Sequence, residues 1–310
     1  MSRASRPTPA QELLLRAALL DETRAQAAWA VWGLESADSP LDEASSRLLP
    51  LLHRRLAPPH PMLETPSLEK LVAIRARAAS APEQTRYRNA LLFEEAAASL
   101  KVLMEAGIRT CLLKGAALTL AAYADPAPRP MSDVDVLIPR WDLERAAEVL
   151  ARAGWRTPSL LGAAETALAH AVAFTNETRG SIDAHWRSLD AMASPEGDAS
   201  LWAGAGEAVF EGEPTRIPAP ADLLFHACVV GQRTGRDVAC RWVADAFVVL
   251  TTSHRDMDWA RRESEARRQA ESAAVADALG YDKRPFAGFT LRWTRAAMPP
   301  VQRLGPSSPL

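Results

Sequence analysis

The chain has 310 residues, of which 48% are hydrophobic and 24% are charged. This is the composition of an ordinary globular protein, and at roughly 100 to 200 residues per domain the chain is long enough for two packed modules. Its 36 Lys and Arg residues are balanced by 38 Asp and Glu residues, which gives a formal net charge of −2 at pH 7. Proteins that mainly bind nucleic acid carry a basic surface, so the charge balance disfavours DNA or RNA as a primary partner.

The cysteines and the N-terminal residues indicate the compartment. Cys111, Cys228 and Cys240 lie far apart in apolar stretches, with neither a CxxC spacing nor an even count, which favours a reducing environment. The apolar run of residues 13–20 contains Arg16, so it differs from the apolar region of a signal peptide. Later apolar runs are far shorter than the roughly 18 residues of a membrane span. We therefore expect a cytoplasmic protein without a membrane partner.

The N-terminal part of the chain has the apolar spacing that predicts helices. This pattern covers residues 11–56 and is followed by a connection at residues 57–67, where each proline removes a backbone donor and restricts the preceding residue. Two more helices are predicted, a short one at Glu69–Ala78 and a long one at Asn89–Ala106, which Gly107 is placed to end.

The middle of the chain alternates between strand and helix patterns. A short β-leaning run ends at the pair Lys114-Gly115, and a short helix and an irregular loop follow. Residues 132–138 alternate polar and apolar side chains, which predicts a strand, and another helix comes next. Two further β-leaning runs, residues 171–175 and 181–187, are joined by a connection typical of a hairpin. These elements predict a small mixed sheet with helices packed on it.

Three more helical patterns follow the sheet, at residues 221–230, 238–250 and 259–279, and the proline-rich tail after Tyr281 is expected to be extended or disordered. The predicted fold class is therefore α+β, with a small mixed β-sheet core flanked by N-terminal and C-terminal helical modules. The expected boundaries are residues 1–85 for the N-terminal helical module with its proline-rich connection, 86–190 for the α/β core, 191–280 for the C-terminal helical module and 281–310 for the tail.

The pair Asp133 and Asp135 gives the clearest chemical signal. In the predicted strand, the period of two places both carboxylates on one face, while Val134 and Val136 point into the core. Two carboxylates on one strand can share hard divalent cations such as Mg²⁺, which binds oxygen ligands and keeps waters for a phosphate-bearing substrate. Short acidic pairs are also common on surface strands, so the pair alone does not define a metal site.

Two other segments add to this signal. At Lys114-Gly115, exposed N–H groups and the positive helix end would favour an anion, although the pair could also be a tight turn with a solvated lysine. Asp183 offers a third carboxylate on an alternating strand, although it could also face solvent at a sheet edge. Three carboxylates from two adjacent strands, opposite a phosphate-binding turn, are what two-metal phosphoryl or nucleotidyl transfer requires.

Further candidates lie close to these segments in the sequence or on a later helix. Arg129 precedes the acidic pair in a proline-braced loop, where a guanidinium could clamp a phosphate, and the alternative is a surface arginine. His185, on the face of Asp183, could orient a carboxylate, contact substrate or be structural. Arg241 and Asp245 have the spacing of an ordinary helix pair, so they are left out of the predicted site.

In two ordered segments the chain resembles the uncharacterised nucleotidyltransferase family of the DNA polymerase β-like superfamily: LLKGAALTLAAYADPAPRPMSDVDVLIP and SIDAHWRSL. That family has a Lys-Gly turn, an R-P-x-x-D-hydrophobic-D element and a later D-x-H-W strand. The resemblance extends from about Arg88 to Leu250. It implies a nucleotidyltransferase core of a short mixed sheet with flanking helices, and a helical region that helps to form the nucleotide or acceptor cleft.

The resemblance also implies a metal site. Asp133 and Asp135 would bind the metal pair, and Asp183 would complete the site and activate the acceptor hydroxyl, so these three residues are predicted to be both catalytic and metal-binding. The expected metal is Mg²⁺, with Mn²⁺ as the alternative.

The nucleotide is expected to contact Lys114, Gly115, Arg129 and Ser132. Many superfamily members have Gly-Ser at the turn, where the serine contacts the terminal phosphates. This chain has Gly115-Ala116 instead. Lys114 and backbone amides would therefore have to bind these phosphates.

The function predicted in this way is transfer of a nucleoside monophosphate from an NTP, with Mg²⁺, to a hydroxyl or phosphate of a small molecule, releasing pyrophosphate. Two alternatives stay open. The acceptor could be a protein side chain, or the chain could be a nucleotide-binding or interaction module without catalysis, which Ala116 in place of serine would explain. The sequence does not indicate the acceptor or the preferred base.

Overall fold

The structure of the chain, a computed structural model, describes residues 7–36, 40–53, 56, 67–157, 169–177, 181–189, 198–233, 239–253 and 257–258. The α-helices in this part of the chain are α1 (Pro9–Leu19), α2 (Glu22–Glu35), α3 (Glu43–Ser46), α4 (Leu49–His53), α5 (Ser67–Glu105), α6 (Lys114–Leu118), α7 (Leu143–Arg152), α8 (Ala199–Gly204), α9 (Pro220–Arg233) and α10 (Ala239–Ser253). A π-helical turn, Thr119–Tyr123, continues α6, and a 3₁₀ turn, Arg140–Asp142, precedes α7.

A four-stranded mixed sheet lies between the helices. Its strands are β1 (Cys111–Leu112), β2 (Val134–Leu137), β3 (Ala171–Thr175) and β4 (Ser181–His185), in the order β1-β2-β4-β3. The β1–β2 and β3–β4 pairs are antiparallel, whereas β2 and β4 are parallel neighbours. The prediction of an α+β fold with a small mixed sheet is confirmed.

Helix α5 differs from the prediction. It is one helix of 39 residues with Pro82 inside it, where the sequence predicts two separate helices. A proline removes one helical hydrogen bond, but a helix is stabilised mainly by the packing of its apolar face. Here the apolar face has buried residues on both sides of the proline: Ala78 precedes it, and Phe93 and Leu100 follow it. The predicted end is confirmed, because Gly107 takes a positive φ of 71° directly after the helix.

A second, two-stranded sheet was not predicted. Strands β5 (Gly206–Phe210) and β6 (Glu213–Ile217) form an antiparallel hairpin in a segment that is rich in alanine, glycine and proline. The turn residues Glu211 and Gly212 both have positive φ angles, 49° and 88°, which is the geometry of a tight hairpin turn. The Glu-Gly pair between two alternating segments was the available signal.

The helices at both ends share one hydrophobic core with the sheet. Buried members of this core are Leu15 of α1, Leu52 of α4, Val136 of β2, Ile182 of β4 and Trp242 of α10. The proposed domain boundaries stay a prediction, and the predicted third C-terminal helix, the tail and residues 57–66 lie outside the described residues. Among the described helices, none combines the length and apolarity needed to cross a membrane.

Candidate active site

Strands β2 and β4 bring Asp135 and Asp183 together. The two residues are direct partners in the parallel register, so their side chains point to the same face of the sheet. His185 lies two residues after Asp183 on that face, and its Nε2 is 2.8 Å from Oδ1 of Asp135. On the opposite face, Val136 and Ala184 are buried. The alternation that was read from the sequence therefore places the polar side chains of both strands at one site.

The turn that contains Lys114 lies beside these side chains. The ammonium group of Lys114 forms an ion pair with Oδ1 of Asp135, and its Nζ is 3.4 Å from Nε2 of His185. The backbone of Lys114 has a φ of +42°, in the left-handed region that non-glycine residues rarely adopt. Such a conformation costs on the order of 1–3 kcal/mol and persists only where the surrounding structure enforces it.

The three carboxylates of the site differ in their electrostatic environment. Burial alone would raise the pKa of Asp135, but the hydrogen bond with His185 and the charge of Lys114 outweigh this effect and lower that pKa. Burial, followed by the charge of Asp135, raises the pKa of Asp183 and that of Asp133. The carboxylates therefore repel one another, and a bound cation would relieve this repulsion.

A metal ion fits one group of side chains in the described part of the chain. Asp135, Asp183 and His185 each offer one ligand atom, and these atoms lie within 4.8 Å of one another. The group contains Asp135 and Asp183, two of the three metal ligands expected from the sequence. Asp133, the third, lies one residue before β2 and is partly buried, and His185 takes its place in the group.

Arg129 packs against the Lys-Gly turn. A β-carbon on Gly115 would overlap Nη1 of Arg129 and would lie 2.5 Å from Sδ of Met131. The glycine is therefore needed because another part of the chain approaches the backbone closely. Ala116, at the position where the resemblance leads one to expect serine, is fully buried, and Ser132 is exposed.

The guanidinium of Arg129 is buried and binds Asp245 of α10 through two hydrogen bonds of 2.9 Å. Oδ1 of the same carboxylate accepts a hydrogen bond of 2.8 Å from the Tyr123 hydroxyl. Burial alone would lower the pKa of Arg129, but the charge of Asp245 and their hydrogen bonds raise it. In this structure Arg129 thus connects the Lys-Gly turn to helix α10. Asp245, which was left out of the predicted site, is the partner that holds Arg129 there.

Asn89 of α5 holds the loop that carries Arg129. Its side-chain amide donates hydrogen bonds to the carbonyl groups of Pro126 (2.8 Å) and Arg129 (2.9 Å), and its Oδ1 accepts one from the amide of Met131 (3.3 Å). The sequence analysis did not single out this residue. A polar side chain in the apolar stripe of a long helix was the available signal, because a buried amide needs partners.

The chain belongs to the family described as uncharacterised nucleotidyltransferase, whose sequence profile matches residues 44–287. The match is wider than the segment in which the resemblance was recognised, and the prediction of a nucleotidyltransferase is confirmed. No curated protein matches the chain.

Some solved structures are similar to parts of the chain. One is a solution structure of the antibiotic-resistance factor ANT(2'')-Ia, with 13% identity and a TM-score of 0.42, which covers 60% of this chain and 97% of that protein. A crystal structure of ANT(2'')-Ia in complex with adenylyl-2''-tobramycin has 14% identity and a TM-score of 0.39, over 55% and 94% of the two chains. An antigenic nucleotidyltransferase-like protein from Paracoccidioides brasiliensis has 17% identity and a TM-score of 0.38, over 52% and 75%.

Proposed function

We propose that this protein transfers the nucleoside monophosphate of an NTP to a hydroxyl or phosphate group of a small molecule, uses Mg²⁺ and releases pyrophosphate. The observation that supports this most directly is the side-by-side position of Asp135 and Asp183 on parallel strands, with Lys114 at the adjoining turn. Two carboxylates and one cation at a single site are the groups that bind a metal–nucleotide complex.

In the proposed reaction, an oxygen of the acceptor attacks the α-phosphorus of the NTP and forms a new O–P bond. The bond between the α-phosphorus and the α,β-bridging oxygen breaks, and pyrophosphate leaves with its electron pair. Asp183 is the best candidate to take the acceptor's proton. Asp135 is engaged by Lys114 and His185, whereas no hydrogen-bond donor among the described residues reaches Asp183.

Asp135 and Asp183 would hold the divalent cation, with Asp133 beside them. When bound, the cation would stabilise the negative charge on the phosphate oxygens during transfer. Mg²⁺ prefers oxygen ligands, so with this ion His185 would orient Asp135 through their 2.8 Å contact. With Mn²⁺, the imidazole nitrogen could also bind the metal.

Lys114 would bind phosphate oxygens of the NTP. It lies at the start of α6, whose N-terminus has no side-chain cap, and the backbone amides of this turn would contribute to phosphate binding. With Ala116 in place of serine, the lysine and these amides would bind the phosphates together. The formal charge of −2 disfavours a nucleic acid as the acceptor.

The experiment that tests this function measures label transfer and pyrophosphate release. The protein is incubated with α-³²P-labelled NTPs, Mg²⁺ or Mn²⁺ and a panel of small hydroxyl- and phosphate-bearing acceptors. We expect both signals with the wild type and a loss of at least about 100-fold in Asp135→Asn and in Asp183→Asn. Glu148→Gln, which removes an exposed carboxylate of α7, is the control and should retain activity.

Activity that persists in both Asp variants would contradict the site. A nucleotide adduct found by intact mass on a co-incubated protein would favour a protein acceptor instead. NTP binding without pyrophosphate release under any condition would favour a binding module without catalysis.

A further inference from the structure

A cavity opens beside the carboxylate site, between α6 and the C-terminal helices α9 and α10. Its polar lining comes from Lys114, Arg129, His226, Arg241 and Asp245, and apolar side chains complete the wall. Lys114 belongs both to this cavity and to the carboxylate site, because its ammonium group contacts Asp135. Lys114 thus connects the cavity wall to the place where the phosphates of an NTP are proposed to bind.

The cavity has more positive than negative charge. Asp245 is its carboxylate among the described residues, and this group accepts two hydrogen bonds from Arg129 and one from Tyr123. His226 adds no charge at neutral pH, because burial lowers its pKa to about 4. Lys114 pairs with Asp135 of the carboxylate site and Arg129 pairs with Asp245, so Arg241 is the cation of this wall without an ion pair among the described residues.

Arg241 and Arg129 lie in the same cavity wall but differ in their ion pairing. Arg129 is paired with Asp245, whereas no carboxylate of the described residues lies within ion-pair distance of Arg241. Arg241 is partly buried, and burial and the like charge of Arg129 lower its pKa. An arginine stays protonated in proteins, so this charge persists next to a second one and needs an anion to offset it.

The position of Arg241 relates it to the carboxylates as well. It lines the same cavity as Lys114, whose ammonium group contacts Asp135 of the carboxylate site. A chain of phosphates that begins at the carboxylate site and passes Lys114 would enter the cavity that Arg241 lines.

We propose that Arg241 is a phosphate-binding residue that, together with Lys114, holds a phosphate-bearing group of the substrate in this cavity. The inference rests on the proposed function and extends it, because it assigns a substrate contact to α10, outside the recognised motifs. The planar guanidinium can bind two phosphate oxygens at once. The phosphate that Arg241 binds belongs either to the terminal phosphates of the NTP or to a phosphate on the acceptor. The experiment below distinguishes these two cases.

The test measures anion binding without catalysis and without metal. Inorganic tripolyphosphate and inorganic phosphate are titrated by calorimetry into the full-length protein, treated with chelator and kept at low salt. We expect tripolyphosphate to bind the wild type and to bind Arg241→Gln about 10-fold or more weakly, because a charge-assisted pair is lost. Arg241→Lys should lie between the two, since it keeps the charge and loses the planar geometry.

Arg152→Gln is the matched control, because it removes an exposed arginine of α7 and should leave anion affinity unchanged. The thermal midpoint gives a second readout. Removal of Arg241 should leave the midpoint unchanged or raise it, since repulsion with Arg129 disappears, whereas loss of a structural arginine would lower it.

The outcomes are distinct. Weaker binding of tripolyphosphate alone assigns Arg241 to the terminal phosphates of the NTP. Weaker binding of inorganic phosphate with unchanged tripolyphosphate binding assigns it to a phosphate on the acceptor. Equal affinity of the wild type and Arg241→Gln for both anions, or a lowered midpoint with unchanged affinity, would overturn the proposal. Because no transfer is measured, this result is independent of whether the proposed function holds.

Discussion

The guanidinium of Arg129 occupies the space that a β-carbon on Gly115 would need. The Lys-Gly turn and the loop that carries Arg129 are therefore packed as one unit. Asn89 fixes that loop from α5, and Asp245 fixes the guanidinium from α10. The position of Lys114 at the carboxylates thus depends on contacts with both α5 and α10.

Gly115→Ala tests this close packing. The added methyl group would push Arg129 and Met131 away from the turn, which should lower the free energy of unfolding by about 1–3 kcal/mol. A shift of about 1 Å at the site can reduce nucleotidyl transfer about 100-fold. Chemical unfolding and the labelled-NTP assay measure the two effects. Gly206→Ala is the control, because no atom lies within 4 Å of the added carbon, and an equal loss in both variants would contradict the packing argument.

Arg129→Gln tests the ion pair with Asp245. The substitution leaves a carboxylate that is 4% exposed with Tyr123 as its remaining described donor. Breaking a buried pair by removing one partner typically costs about 3–5 kcal/mol, and we expect a loss of this order in urea unfolding. Arg16→Gln breaks an exposed pair with Glu12 on α1, and such pairs contribute only about 0–1 kcal/mol. Similar losses of unfolding free energy in both variants would show that the buried pair contributes no more to stability than an exposed pair.

The sheet and its acidic residues could be predicted because their signals are local. The alternation in residues 132–138 and 181–187 shows which side chains share a face, and the parallel register then places Asp135 beside Asp183. The role of Gly115 could not be predicted, since Arg129 and Met131 reach the turn through the fold of the loop. A glycine in a sequence indicates a flexible backbone, but it does not show which distant residues pack against that backbone.

The wall of the cavity depends on contacts between distant parts of the chain. Arg129 and Asp245 are 116 residues apart, so no spacing rule connects them. The i,i+4 spacing of Arg241 and Asp245 suggested a pair within the helix. In the structure the carboxylate binds Arg129 instead, because both groups are buried and satisfy each other with two hydrogen bonds. Local spacing predicts which pairs are possible, and tertiary burial decides which one forms.

Lys114→Met should increase the affinity of the carboxylate site for a divalent cation. In the structure the ammonium group of Lys114 pairs with Asp135, so a cation must compete with it. Without this competitor, we expect Mn²⁺ to bind about 10-fold more tightly in calorimetry, a change of about 1.4 kcal/mol. Nucleotidyl transfer should fall nonetheless, because a phosphate contact is lost.

Lys101→Met, at an exposed position of α5, is the control for the change in net charge. It should leave Mn²⁺ affinity unchanged. Asp183→Asn should weaken Mn²⁺ binding in both backgrounds, since Asp183 is one of the three grouped ligands. Unchanged affinity in Lys114→Met would mean that the lysine does not compete with the metal.

His226 predicts how stability depends on pH. Its Nε2 lies 2.8 Å from the carbonyl oxygen of Ser188, and burial lowers its pKa from the ordinary 6.5 to about 4. Below pH 6.5 the unfolded chain therefore binds a proton that the folded chain does not. Stability from this group is fully present above pH 6.5 and decreases as the pH falls towards 4, by at most about 1.4 kcal/mol for each pH unit.

His226→Gln separates this contribution from that of other groups. The glutamine amide can still donate a hydrogen bond to Ser188 but does not titrate, so the difference in unfolding free energy between pH 7 and pH 5 should become smaller. His53→Gln, on the exposed end of α4, should keep the wild-type difference. Because the charge of Lys114 also lowers the pKa of His226, an anion bound at Lys114 should weaken the pH dependence of the wild type. An unchanged pH dependence in His226→Gln would show that this histidine is protonated alike in the folded and unfolded states.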